Sequence, residues 1–466
     1  MKKLNEIIDT KYNVLIKDIK IDSRDVEKDD LFIAIKGFNV DHNNYIEDAI
    51  KRGCSAVITD IDYKSTIPII KVKDINKTLH DICKKMYNFD DNINFIGVTG
   101  TDGKTSTATI IKEILNNYKN TAYIGTNGID VNNKSIKTNN TTPTTPYLYK
   151  YIELIKKENV STISMEVSSE ALLHGRVDGI NYKYAVFTNI KEDHLNIHKT
   201  MDNYIKSKMK LVDLVKDDGY IIVNGDDSNL KEIKDKRKIT FGKNKNNNFI
   251  INDIVIKKDN VFFKIKHKNN IYEIKTKLVG EYNIYNITAA FIICYLEGIS
   301  VDNIINSIKK INYIKGRGEK LDYGQDYRII LDYAHTLNGI KSIVSTYKKL
   351  YSNIIVVTGA AGGREKEKRK LIGKYLLDNV NLVIFTMDNP RYENVDSIID
   401  DMISCTKKDN YMRINDRKMA ITYTLNKAKK GDLILILGKG RDEYMAIEDK
   451  KIYYSDYEEI KKYFHK

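Results

Sequence analysis

Residues 97–107 read Gly-Val-Thr-Gly-Thr-Asp-Gly-Lys-Thr-Ser-Thr and follow directly on the mostly apolar run Ile93–Ile96. A short buried strand that ends in glycines and opens into a helix is how a chain cradles a triphosphate. Glycines let backbone N–H groups turn inward, and the helix N-terminus attracts anions. A lysine reaches the terminal phosphates while a hydroxyl meets Mg²⁺. Gly100, Thr101, Asp102, Gly103, Lys104, Thr105 and Ser106 are therefore candidate ATP contacts. The spacing is not the strict Walker one: Val98 stands five residues before Gly103, with glycines at Gly97 and Gly100 instead.

At 466 residues the chain is too long for one ordinary core, and two to four domains are expected. It holds no run of ~20 apolar residues and no apolar core after its Met-Lys-Lys start, so neither membrane insertion nor secretion is expected. Cys54, Cys83, Cys294 and Cys405 are widely scattered, which suits a reducing cytoplasm better than a disulfide scaffold or a zinc site. The net charge is +14, from 77 basic and 63 acidic residues, but the lysines spread along the whole chain without an aromatic-interleaved patch. No nucleic-acid partner is expected from such a distribution.

Three regions are legible. Residues 1–92 contain strand signals at Leu31–Ile35 and Ala56–Thr59 around a helical Tyr45–Arg52, a small α/β module. Residues 93–313 alternate strands (Thr121–Ile124, Val160–Glu166, Tyr184–Thr188, Gly219–Val223) with helices (Thr105–Leu115, Pro146–Lys157, Met201–Val215). Such alternation predicts a mostly parallel sheet covered by helices. Val261–Lys266 and Ile271–Lys277 flank Asn269-Asn270 as a hairpin, and Asn286–Glu297 reads as an apolar helix. Residues 314–466 supply Arg328–Asp332 and three continuous apolar runs, Ile354–Thr358, Leu382–Thr386 and Asp432–Leu437. Runs of this kind belong to strands covered on both faces, and the loops at their C-terminal ends point to one ligand site.

Glu166 ends a predicted strand and His194 follows another, so a parallel sheet turns both toward the phosphate loop. Together with Thr105 they offer hard donors for Mg²⁺. Lys208 shares an apolar helix stripe with Met201, Tyr204, Leu211 and Val215. An ammonium there must find a partner, snorkel, or be converted to a carbamate that presents oxygens to a metal. Arg317 suits a phosphate clamp and Asp332 a ribose or base acceptor, although either also suits an interdomain ion pair. Asp388, Arg391, Arg441 and Asp442 bring mixed charges to the third region, a pattern fitting a zwitterion.

Thr99–Ser106, Asn140-Thr141-Thr142-Pro143, Met165–Ser169, Phe187–His198, Gly316-Arg317, Asp332–Thr336 and Asp388–Arg391 occur in an order that resembles the Mur ligases over essentially the whole chain. The resemblance is to the MurE type, UDP-N-acetylmuramoyl-L-alanyl-D-glutamate:amino-acid ligases of peptidoglycan synthesis. It implies a three-domain α/β architecture with a central P-loop-type ATPase sheet and a C-terminal Rossmann-like domain. The domains would bind UDP-substrate, ATP and a free amino acid in turn, in a cytoplasmic monomer. Ser23, Arg24, Asn140, Thr141, Thr142, Ser168 and Arg176 would hold the UDP-substrate. Lys104, Glu166, His194 and Lys208 would serve catalysis, with Thr105, Glu166, His194 and an N6-carboxylated Lys208 around Mg²⁺. Asn283, Asn286, Arg317, Asp332 and His335 would meet the nucleotide, although Tyr282 replaces the phenylalanine usual before that asparagine pair.

Asp388, Asn389, Pro390, Arg391, Gly438 and Asp442 would receive the amino acid. That acceptor is expected to be meso-2,6-diaminopimelate or a close analogue, with lysine or an acceptor outside wall synthesis as the alternative. The implied reaction runs through an acyl phosphate made from ATP and the D-glutamyl carboxylate. Three motifs depart from the family pattern. Ser168-Ser169-Glu170 stands for Ser-Ser-His, Gly362-Gly363-Arg364-Glu365-Lys366 for Gly-Gly-Asp-Arg-Asp, and Gly438–Asp442 ends in Arg-Asp rather than His-Glu. The shortened carboxylate of Asp442, with Arg441 beside it, is expected to alter recognition of the distal amino-acid centre unless Glu443 compensates.

Overall fold

The structure, a computed structural model, describes residues 1–37 and 41–465. It divides into two compact units, residues 1–250 with 288–300, and residues 251–287 with 301–466. Among the described residues no helix is long and apolar enough to cross a membrane.

The first unit opens with a parallel sheet of β1 (Ile19–Lys20), β2 (Leu31–Ile33), β3 (Ala56–Thr59) and β4 (Ile69–Lys71), in that order. The helix Ile75–Met86 covers it, started by the Asp74 carboxylate, which accepts the Lys77 N–H. Its apolar stripe of Leu79, Ile82, Cys83 and Met86 closes the core. The module is joined to the helix Thr145–Lys156 by Asp18, a nearly buried carboxylate that accepts from Lys20, Lys150 and the Tyr87 hydroxyl. Burial alone would push this carboxyl up, but the hydrogen bonds from Lys150, Tyr87 and Lys20 outweigh it and hold it down, from 3.8 to about 2. A depressed carboxylate stabilises the fold above its unfolded-state value and loses that contribution as pH falls toward the folded-state value. Asp18→Asn is therefore expected to lower unfolding stability by about 2 kcal/mol at pH 7. In urea melts between pH 7 and pH 2 the gap to wild type closes below about pH 4; a gap unchanged at pH 2 contradicts the assignment.

The main sheet of the first unit is built from β5 (Asn94–Thr99), β6 (Thr121–Gly125), β7 (Gly128–Val131), β8 (Lys134–Ile136), β9 (Thr162–Glu166), β10 (Tyr182–Phe187), β11 (Val215–Asn224), β12 (Lys238–Gly242) and the start of β13 (Phe249–Ile256). Their order is β8-β7-β6-β9-β5-β10-β11-β12-β13, with β7 alone running antiparallel to the others. Glu166 pairs with Val98 and Phe187 with Thr99, so the loops after β9, β5 and β10 leave the same edge. Gly97 is needed in β5 because a Cβ there would lie 2.8 Å from the Tyr182 ring.

In the second unit β14 (Val261–His267) and β15 (Asn270–Thr276) form the expected hairpin. A separate sheet contains β16 (Glu319–Leu321), β17 (Arg328–Asp332), β18 (Ile354–Thr358), β19 (Leu382–Phe385), β20 (Tyr411–Arg413) and β21 (Leu433–Leu437). Its order is β16-β17-β21-β18-β19-β20, parallel apart from β16. Ile329, Leu331, Ile434 and Ile436 face one core while Ile330, Leu433, Leu435 and Leu437 face the other. Both faces are buried, which is why these strands read as unbroken apolar runs. A last hairpin, β22 (Tyr444–Ile447) and β23 (Lys450–Tyr453), precedes the helix Asp456–Phe464.

Candidate active site

The loop after β5 turns through Gly100 at φ +150° and Gly103 at φ +85°, the latter capping the helix Lys104–Leu115. A Cβ on Gly100 would stand 1.9 Å from the Thr188 hydroxyl, so only glycine fits. The Lys104 ammonium lies over the loop, donating to the Gly100 and Thr101 carbonyls at 2.9 and 2.8 Å. The segment after β10 clamps the loop from beside it. The Asp102 N–H donates to Asn189 Oδ1 at 3.0 Å, and Thr188 Oγ1 and Asn189 Nδ2 donate to the Asp102 carbonyl. Thr101 N–H donates to the Asn189 carbonyl, and its hydroxyl meets Tyr204. These clamping residues went unread in the sequence as supports of the loop, because the contact depends on the adjacency of β5 and β10.

Glu166 is fully buried at the end of β9. Its Oε2 accepts from the Thr105 hydroxyl at 3.0 Å, while Oε1 accepts from the Tyr123 hydroxyl and the Thr126 N–H. Its backbone carbonyl accepts from Thr142 Oγ1 at 2.8 Å, and Thr142 in turn accepts the Ser168 N–H and, at its carbonyl, an Arg176 N–H. Thr141 meets Thr126 through their hydroxyls. One residue thus joins the phosphate loop to the wall of a cavity of about 850 Å³ in the same unit. Asn140 and Arg176 line that cavity. Lys20, His42, Tyr147, His174 and Lys210 also line it, although sequence reading had not singled them out. Ser23 is buried, and the exposed Arg24 pairs with Asp22, whose residue lines the cavity.

Lys208 is buried, with Nζ donating to the Gly100 carbonyl at 2.8 Å and standing 4.7 Å from the Tyr204 ring centre. Burial, and then the Lys104 charge, push its ammonium well below the ordinary range. His194 sits at φ +55°, its ring 3.9 Å from Glu170 and 3.5 Å from Asp193. Burial also lowers its pKa, against the pull of Asp193. Among the described residues no three His, Cys, Asp or Glu side chains gather into a metal cage. A hydroxyl and a carboxylate beside a phosphate cradle fit Mg²⁺ nevertheless, because that ion keeps waters and takes its other oxygens from phosphates.

In the second unit Asp332 is buried at the end of β17, accepting the Gly318 and Ala334 N–H groups. Burial pushes its carboxyl up, with Arg317 opposing. The Arg317 guanidinium stacks 4.7 Å from the Tyr333 ring centre, and His335 Nδ1 meets the Tyr333 carbonyl. Asn283 donates to the Val279 carbonyl and Asn286 Nδ2 to Asn283 Oδ1. Around Asp388 several of the residues expected to receive the amino acid come together. The buried Lys439 donates to Asn389 Oδ1 at 3.2 Å and lies 3.6 Å from Asp388 Oδ1, while a Cβ on Gly438 would meet Asp388 at 2.7 Å. Pro390 leads into Arg391 at φ +52°. Burial, with Lys439 opposing, raises the carboxyl of Asp442. The Arg441 guanidinium, beside Asp442, forms a bidentate pair with Glu319.

A glycine-rich phosphate loop at the C-terminal edge of a parallel sheet, with an acidic residue behind its hydroxyl, defines a nucleotide-using α/β enzyme. Family models match residues 15–87 (Mur ligase family, catalytic domain), 98–294 (Mur ligase middle domain) and 316–440 (Mur ligase, glutamate ligase domain). The chain belongs to the Mur ligase family and is an ATP-dependent amide ligase. It is similar to the UDP-N-acetylmuramoyl-L-alanyl-D-glutamate–2,6-diaminopimelate ligase of Fusobacterium nucleatum, at 35% identity over 97% of this chain and 93% of that one. The enzyme of the same name from Clostridium tetani is 34% identical over 98% of both. A solved structure of a ligase with that name superposes with a TM-score of 0.69 at 25% identity, covering 100% of this chain and 99% of the other.

Proposed function

We propose that the protein joins 2,6-diaminopimelate to the D-glutamyl carboxylate of UDP-N-acetylmuramoyl-L-alanyl-D-glutamate, using ATP. The observation that carries this reading is Glu166, whose carboxylate holds Thr105 of the phosphate loop while its carbonyl holds Thr142 behind the 850 Å³ cavity. A phosphoryl group bound at the loop then faces a carboxylate presented from that cavity. The carboxylate attacks the γ-phosphorus, ADP leaves, and the amine of the incoming amino acid displaces phosphate from the acyl phosphate to give the amide. Residues 1–92 serve the UDP portion, 93–313 ATP, and 314–466 the amino acid.

Lys104 offsets charge on the transferring oxygens, and the clamped loop orients them. Thr105, Glu166 and His194 would hold Mg²⁺, which when bound neutralises phosphate charge. Arg317, Asp332 and His335 serve the nucleotide, with Asn283 and Asn286 near the adenine. Asp388, Asn389, Arg391 and Asp442 receive the charged ends of the diamino acid, a reading supported by the mixed charges gathered around Lys439.

Lys208 carries a carbamate in the working enzyme. A buried amine held neutral is the form that adds to CO₂, losing one proton, and its lowered pKa supports this. Native mass spectrometry in bicarbonate is expected to show one added CO₂ that Lys208→Ala lacks; the same adduct, or none, on both proteins would contradict it.

The deciding experiment measures ADP release over panels of UDP-muramoyl substrates and amino acids. Turnover is expected only with the L-alanyl-D-glutamate nucleotide and diaminopimelate or a close analogue. Lysine as the sole good acceptor would overturn the amino-acid assignment, and silence with every diamino acid would overturn the whole reading.

A further inference from the structure

Arg441 stands beside Asp442 in the sequence, and its side chain is committed to an ion pair with Glu319. Its Nε donates to Glu319 Oε2 at 2.8 Å and its Nη2 donates to Oε1, so the guanidinium fork fits the carboxylate. On its other face it lies 3.3 Å from the centre of the Tyr457 ring. Glu319 is buried, and the same Oε2 accepts the Gly316 N–H at 2.8 Å. One carboxylate therefore grips both the loop that carries Arg317 and the loop that carries Asp442.

Tyr333 sits between those loops. Its N–H donates to the Gly316 carbonyl at 3.0 Å, and Arg317 stacks on its ring. Gly316 and Gly440 have φ of +67° and +49°, and a Cβ on either would stand 2.4 or 2.5 Å from that ring. With glycine on both sides of a shared aromatic ring and a bidentate ion pair behind it, neither loop can shift alone.

We infer that Arg441 and Glu319 are positioning residues that tie the amino-acid loop to the Arg317 loop, so that filling one subsite orders the other. The inference rests on the ligase reading given above. A coupling of this kind is reciprocal and is read as a ratio of affinities. With the UDP-muramoyl-dipeptide present, diaminopimelate is expected to tighten binding of a non-hydrolysable ATP analogue by about tenfold in the wild type.

Arg441→Gln breaks the fork and is expected to bring that ratio close to one. Arg441→Lys, which keeps the charge but not the bidentate geometry, falls between and guards against a folding failure in the first variant. A residue that only stabilised the fold would lower the melting temperature in both variants and leave the ratio where it was. An unchanged ratio in folded Arg441→Gln or Arg441→Lys, or a wild-type ratio of one, overturns the inference while wild-type turnover stands. Absence of wild-type ADP release with every diamino acid overturns both the inference and the ligase reading.

Discussion

Lys104→Ala is expected to lower ADP release by about 10³-fold while leaving the fold intact. The ammonium donates to carbonyls of its own loop, at Gly100 and Thr101, which place it over the cradle. It is half-buried rather than sunk in the core, so its removal opens no apolar cavity. The loop itself stays shaped by contacts that do not involve Lys104, namely Thr188 and Asn189 on Asp102 and the positive φ of Gly100 and Gly103. What is lost is a fixed positive charge at the point where phosphate charge is redistributed. Removing one prearranged donor from such a site costs about 10²–10³ in rate, and a full charge on a phosphoryl group lies at the upper end. Lys104→Arg keeps the charge on a bulkier fork and is expected to recover only part of the activity. Steady-state ADP release with a thermal melt of each variant checks this; an alanine variant within about tenfold of wild type would remove Lys104 from the proposed chemistry.

Where the sequence was legible, the reason was local. The strands of the second unit, buried on both faces, announced themselves as apolar runs, and the phosphate loop declared itself by its glycines and the Lys104-Thr105 pair. Lys208 was conspicuous because an ammonium on an apolar helix stripe is anomalous wherever it points, and its burial agrees. Other elements left weaker traces. The β7–β8 hairpin turns on Asn132 and Asn133, both at positive φ, a turn signal that the short strands beside it hid. The β22–β23 hairpin places Glu448 at φ +51°, a conformation that glutamate does not advertise. Yet this hairpin's Ala446 N–H holds Asn389 Oδ1 and its Ala446 carbonyl accepts the Arg391 N–H. Contacts between residues far apart in sequence left no trace at all. Tyr123 on Glu166, and Arg441 on Glu319 across 122 positions, depend on strand order that periodicity does not encode.

Asp456→Ala is expected to destabilise the protein by about 3–5 kcal/mol, because it strands a buried guanidinium. Arg417 and Asp456 are both fully buried and pair through two hydrogen bonds at 2.8 and 2.7 Å. Arg417 also donates to the Leu437 carbonyl at 2.9 Å and to the Met387 carbonyl at 3.3 Å. Those carbonyls stand immediately before Gly438 and Asp388, so the pair pins the starts of both proposed acceptor loops. Desolvating two charges costs several kcal/mol per ion, and their attraction offsets this only while both are present. Breaking the pair is therefore worse than deleting it. The double variant Arg417→Met/Asp456→Leu is expected to regain more than half of the lost stability in urea melts. Activity does not return with it, because Leu437 and Met387 lose their donor and the loops they lead into lose their anchor. A raised KM for the amino acid in a stable double variant would separate the two roles. A single variant destabilised by less than about 1 kcal/mol would mean that water reaches Arg417 once its partner is gone.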